Sequence, residues 1–196
     1  MANSNAPTGL TPRRYRNGSP WMGACRTYYV PATDATAIGI GDPVILAGDG
    51  DAAGVPAVTL ATAGATNRIT GVCVGLRPGG NSTLIPPRLR AASTAEYILV
   101  ADDPDLLFEV QEDSAGGALA ATNISQNADL VAGTASTTTG QSAWQLDSST
   151  AGTGATLQMR IVGLQQRADN VIGANAKWLV SINLPTETGA AGALGV

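Results

Sequence analysis

The stretch Glu96-Tyr-Ile-Leu-Val-Ala101, Asp102-Asp-Pro-Asp105, Leu106-Leu-Phe-Glu-Val-Gln111 decides the fold class. Two runs of aliphatic, aromatic and β-branched side chains flank a short acidic turn. Such residues suit a pleated, half-buried surface. At the turn, Pro104 fixes its own φ and the aspartates can bond nearby backbone amides, so the chain reverses or bends. Each run is too short for an ordinary helix and of typical strand length.

Working outward, the same pattern recurs. Thr27-Tyr-Tyr-Val30 ends at Pro31, and Pro43-Val-Ile-Leu46 runs into the turn cluster Gly48-Asp-Gly-Asp51. Gly71-Val-Cys-Val-Gly-Leu76 stops at Pro78-Gly-Gly80. Later come Ala143–Asp147, Leu157–Gln165 and Lys177–Leu184, several with period-two alternation. Eight or so strands between Gly, Pro, Asn and Asp turns predict an all-β domain, a sandwich or small barrel, over residues 27–185. Gly117–Leu130 is expected to hold a turn or two of helix, and Gly133–Gly140 an exposed loop of low complexity. Residues 186–196, rich in Gly and Ala, read as a flexible tail. No fixed-period repeat is evident.

Composition agrees. A chain of 196 residues can bury roughly 70% of its unfolded surface, enough for a core without staples. There are 24 Gly and 11 Pro, which is dense turn punctuation. Charged residues make up 13%, half the usual share, and such a surface suits a protein packed against others. Lys177 is the only lysine; the other basic residues are arginines. Histidine is absent, which removes Ser-His-Asp and Cys-His nucleophile systems and every His-containing zinc site. Cys25 and Cys73 are too few for a four-cysteine site and read as free, buried small side chains. Reducing agents are therefore expected to leave stability unchanged. Neither a signal peptide nor a membrane span is visible, so synthesis and folding in a cytoplasm are expected.

Residues 1–26 differ from the rest. They hold four arginines (Arg13, Arg14, Arg16, Arg26) and no acid, for a net charge of +4. The remaining 170 residues carry seven basic and fifteen acidic side chains, a net −8. Four of the eight aromatics, Tyr15, Trp21, Tyr28 and Tyr29, fall within the first 29 positions. Tyr, Trp and Arg are the residues most enriched at interface hot spots. We read residues 1–26 as an extended arm that docks on another subunit, with Arg13, Arg14, Arg16, Trp21, Arg26, Tyr28 and Tyr29 as partner-binding residues. The competing reading folds the arm onto its own acidic body. On the docking reading, deleting residues 2–26 leaves a folded body that no longer binds its partner.

Six acids and no base lie between Asp102 and Asp113. Three readings compete: solvated turn chemistry, a patch that meets an Arg-bearing arm, and a metal or paired-carboxylate site. Gly48–Gly54 resembles part of a calcium loop but lacks the later bidentate Glu. No phosphate-binding loop or dinucleotide fingerprint is present. With a net charge of −4, the chain repels phosphate everywhere except at the arm, so nucleic acid is not expected as a partner. The sequons at Asn81 and Asn123 carry no meaning without a secretory route.

Several stretches carry a resemblance. These are Ala2-Asn-Ser-Asn-Ala-Pro-Thr-Gly-Leu-Thr-Pro-Arg-Arg14, Tyr28-Tyr-Val-Pro31 with Thr33-Asp-Ala-Thr36, Gly41-Asp-Pro-Val44, Val100–Asp113, Leu146-Asp-Ser-Ser-Thr150 and Arg167–Val180. Together, from the arm to about Asn183, the chain resembles a group of tailed-bacteriophage virion proteins identified as capsid decoration or cement proteins. The resemblance implies a jelly-roll or related β fold on the outside of a shell of major capsid protein, as dimers or trimers at local symmetry axes. It implies no catalytic residues and no cofactor. An alternative virion role is a head–tail connector or a tail or receptor-binding β module. A glycan-processing domain would require the acidic stretch to form a cleft.

Overall fold

The computed structural model describes residues 3–78, 87–187 and 192–195. The Asn81 sequon, the Gly79-Gly80 turn and part of the expected tail lie outside the described residues. Among the described residues twelve strands are formed: β1 (Thr11–Tyr15), β2 (Arg26–Val30), β3 (Pro43–Gly50), β4 (Pro56–Leu60), β5 (Gly71–Leu76), β6 (Glu96–Ala101), β7 (Leu106–Gln111), β8 (Asn127–Ala128), β9 (Leu130–Val131), β10 (Gln145–Leu146), β11 (Met159–Leu164) and β12 (Lys177–Ile182). Ala121–Asn123 and Ser148–Thr150 are single 3₁₀ turns. The fold is all-β. The helix expected in Gly117–Leu130 shrinks to one such turn, because the rest of that stretch supplies β8 and part of β9. No helix among the described residues is long and apolar enough to cross a membrane.

Strands β2-β4-β3-β5-β6 close into a barrel, and β1-β7-β12-β11-β8 form a five-stranded sheet packed against it in a sandwich-like arrangement. The barrel interior holds Tyr28, Val30, Ile38, Val44, Val58, Cys73, Ile98 and Val100. A larger core between barrel and sheet holds Phe108, Trp144, Trp178, Met159 and Ile161. Alternation explains how one wall serves both. In β5, Cys73 points into the barrel while its neighbour Val72 joins the larger core, since successive strand side chains face opposite ways. The Asp102–Asp105 turn is where the chain leaves the barrel at β6 and enters the sheet at β7.

β7 is buried at every position. Leu106, Phe108 and Val110 enter the larger core. The opposite face carries Leu107, Glu109 and Gln111, and the N-terminal segment bonds to the last two. The Ala6 amide donates to Gln111 Oε1 at 2.9 Å, and Gln111 donates to Asn5 Oδ1 at 2.8 Å. β1 pairs antiparallel with β7, Pro12 opposite Phe108, with a bulge between Pro12 and Arg14. Proline is tolerated because β1 is an edge strand, where its missing N–H leaves no ladder bond unmade.

This corrects the expected arm. Described residues 3–15 lie against their own chain, with Leu10 1% exposed in the larger core, while most of residues 16–25 stay exposed in the loop to β2. The physical reason is β7: without β1 it would be an unpaired, apolar edge in need of cover. Gly9 fixes the approach. Its φ is +68°, and a Cβ there would stand 2.4 Å from the Gly41 carbonyl oxygen. The Leu10 amide donates to that same oxygen at 2.9 Å. Likewise, the described part of the tail docks back, with the Ala193 amide donating to Asn183 Oδ1 and the Gly195 amide to the Thr153 carbonyl.

Candidate functional site

The seven residues singled out from sequence scatter over two regions. Near the barrel rim, Arg26 pairs with Asp102, which also accepts from the Tyr28 hydroxyl at 2.7 Å, and reaches Glu187 at 3.6 Å. Tyr28 is 2% exposed, and burial first, then the Asp102 carboxylate, pushes its hydroxyl pKa upward. It is a barrel core residue, not a docking residue. Tyr29 is half-buried against Tyr97, ring centroids 5.4 Å apart. On the sheet side, Arg16 donates to Ser181 Oγ at 3.0 Å, and its amide donates to the Asp105 carbonyl. Arg14 is exposed and makes no ion pair among the described residues.

The arginines thus meet the acidic run within one chain, as the second of the three readings of that run anticipated. Glu109 takes Arg13 Nε at 2.8 Å on Oε2 and Arg167 Nη1 at 3.2 Å on Oε1. Asp103 accepts from the Asp105 amide, closing the turn, and Asp113 accepts from the Ser148 amide and hydroxyl. Glu112 is fully buried and accepts from the Leu119 amide at 2.7 Å, its carboxyl raised above the usual range by burial. Among the described residues no three Cys, Asp or Glu side chains gather as a metal ligand set. The cysteines are free, as read. Cys25 is exposed rather than buried, whereas Cys73 is buried, which pushes its thiol up to about 12.

Two features near these residues are open to a partner. The first is the loop between β1 and β2. Residues 16–25 are exposed throughout except Trp21, and Met22 is 86% exposed. Trp21 holds the loop shape: its amide donates to the Arg13 carbonyl, its Nε1 to the Ala24 carbonyl, and its ring rests on the larger core.

The second is a crease of about 400 Å³ where the barrel meets the sheet. Leu10, Pro12 and Trp21 form one wall, and Ile40 and Val74 the other. Arg13, Glu109, Arg167 and Lys177 line its polar side. Both Glu109 oxygens are engaged, and Arg167 also holds Asp169 at 3.0 Å. The terminal nitrogens of Arg13 and the Lys177 ammonium bond no acid among the described residues. Sequence reasoning found Arg13 and Trp21 but missed Lys177, Arg167, Ile40 and Val74. The available signal was that Lys177 is the chain's only lysine.

Comparison with known proteins finds no matching family model, no matching curated protein and no matching solved structure.

Proposed function

We propose that the chain is a structural component of a tailed-bacteriophage virion, a decoration or cement protein on the outer surface of the head. In this role it binds the shell of major capsid protein, bridges neighbouring capsomers and performs no reaction. The resemblance of its motifs to that group, over most of the chain, supports the reading. The observation that carries it is the β1–β2 loop: an exposed Met22 and a half-buried Trp21 on a segment clamped at one end by the sheet and at the other by the barrel. A loop so held loses little conformational freedom on binding, which favours affinity. Many copies on a regular lattice convert modest contacts into strong avidity. A ligand that binds only the assembled shell stabilises it by mass action. Residues 3–26 serve by shaping this loop rather than by reaching out as a free arm.

Purified protein mixed with undecorated capsids, followed by cryo-EM, tests the reading. Hundreds of copies on the outer surface are expected, and Met22→Asp lowers occupancy without unfolding the protein. A dozen or fewer copies at a vertex would reassign the chain to the connector or tail. Absence from intact particles of its source would overturn any virion role.

A further inference from the structure

We propose that the crease between barrel and sheet binds a carboxylate side chain of a protein partner, an Asp or Glu next to an apolar residue in an extended segment. This inference rests on the proposed virion role only for the partner's identity; the chemistry of the crease stands apart from it. The charge balance points to the ligand. Three cations, Arg13, Arg167 and Lys177, line the crease beside one carboxylate, Glu109, with Asp169 outside pairing Arg167. Glu109 satisfies one edge of Arg13 and one nitrogen of Arg167, leaving the Arg13 terminal nitrogens and the Lys177 ammonium directed to no acid among the described residues. An incoming carboxylate accepts from both, and charge-assisted bonds of this kind are the strong ones.

The walls choose between anions. Trp21, Ile40 and Val74, each partly exposed, offer apolar area to a neighbouring side chain, which a phosphate backbone does not bring. The chain's net charge of −4 also repels a polyanion while admitting a single carboxylate. A volume of about 400 Å³ lies in the range of small-ligand sites and admits a residue or two, not a folded domain. Backbone bonds tie the two walls together: the Leu10 amide donates to the Gly41 carbonyl, and the Gly41 amide to the Cys73 carbonyl at 2.8 Å.

The test uses capped dipeptides as probes. N-acetyl-Leu-Glu-amide is titrated into ¹⁵N-labelled full-length protein and compared with N-acetyl-Leu-Gln-amide. We expect saturable shifts at the Trp21 indole and the Arg13 and Arg167 Nε–H signals, with a Kd on the order of millimolar for so small a probe. The Gln peptide binds about tenfold more weakly, Lys177→Gln weakens the Glu peptide by about the same factor, and added salt weakens it further. Ile40→Asp, at a 38% exposed wall position, places a competing carboxylate in the crease and abolishes binding even if Lys177→Gln proves unstable. Equal binding of the two peptides, indifference to both substitutions, or displacement by a short oligothymidylate would overturn the proposal. These readouts need no capsid, so a failed peptide titration and a failed decoration assay are separate results.

Discussion

Arg13 Nε lies 2.8 Å from Glu109 Oε2, joining residues 96 positions apart, one from the basic N-terminal segment and one from the acidic run. The two most conspicuous charge clusters of the sequence are partners within one chain. Arg167 completes the arrangement, so a nearly buried carboxylate is held between two half-exposed guanidinium groups.

Glu109→Gln should destabilise the protein by about 1–3 kcal/mol, because two cations lose the negative charge and one of the two acceptor oxygens they share while remaining crowded together. Arg13→Ala should cost less, about 1 kcal/mol, since Arg13 is 40% exposed on its side chain and Arg167 still serves Glu109. Urea denaturation of the two single variants and the double variant checks both values, and a coupling of zero would show that the pair is decorative.

Removing residues 2–15 should unfold or grossly destabilise the domain rather than release an intact body. Leu10→Ala alone should cost about 2–4 kcal/mol, as expected for a buried Leu in a core that cannot collapse around the gap. Thermal unfolding of the truncated and substituted proteins, measured against the full chain, decides the matter.

Gly9→Ala should be far more damaging than Gly48→Ala. Both positions have positive φ, +68° and +88°, but a Cβ at Gly9 would stand 2.4 Å from the Gly41 carbonyl oxygen while one at Gly48 meets nothing within 4 Å. We expect about 1 kcal/mol for Gly48→Ala from backbone strain alone, and well above 2 kcal/mol for Gly9→Ala, where backbone must also move. Equal losses of stability would contradict the close approach.

Stability should rise on mild acidification. Burial raises the Asp42 carboxyl above the usual carboxylate range, opposed by hydrogen bonds from Ser142 and the Gly39 amide, and burial likewise raises Glu112 and Asp129. A raised native pKa favours the proton in the folded state. The stability it contributes is complete below the unfolded value, about 4, and is lost as pH climbs through the raised native values. Asp42→Asn should therefore match the parent at pH 4.5 and be the more stable of the two at pH 8. Denaturation curves at pH 4.5, 6 and 8 would expose the opposite trend.

A thiol reagent should label Cys25 at once and Cys73 only on unfolding, since Cys73 is fully buried with its thiol pushed up to about 12. Dithiothreitol should leave the melting temperature unchanged. Two equivalents of rapid labelling in the native state would contradict the barrel interior assigned to Cys73.

The strands carried by apolar runs were legible: 71–76, 96–101 and 106–111 form over the expected residues, and Thr27–Val30 and Lys177–Leu184 shift by only one or two positions. β1 and β4 escaped because each contains or opens on a proline, which reads as punctuation until its edge position or partner is known. For the candidate site, aromatic and arginine enrichment singled out residues 13–29, but identity alone did not distinguish Tyr28, which is buried, from Trp21, which lines a crease.

Alternating short runs, dense turn residues and the lack of histidine determined an all-β chain without imidazole chemistry, because strand periodicity and residue inventory are local properties. Which charges meet is not local. The pairing of Arg13 with Glu109 and the docking of β1 on β7 depend on strand neighbours separated by tens of positions within one sheet, and the crease lined by Lys177 needs in addition the packing of the barrel against that sheet.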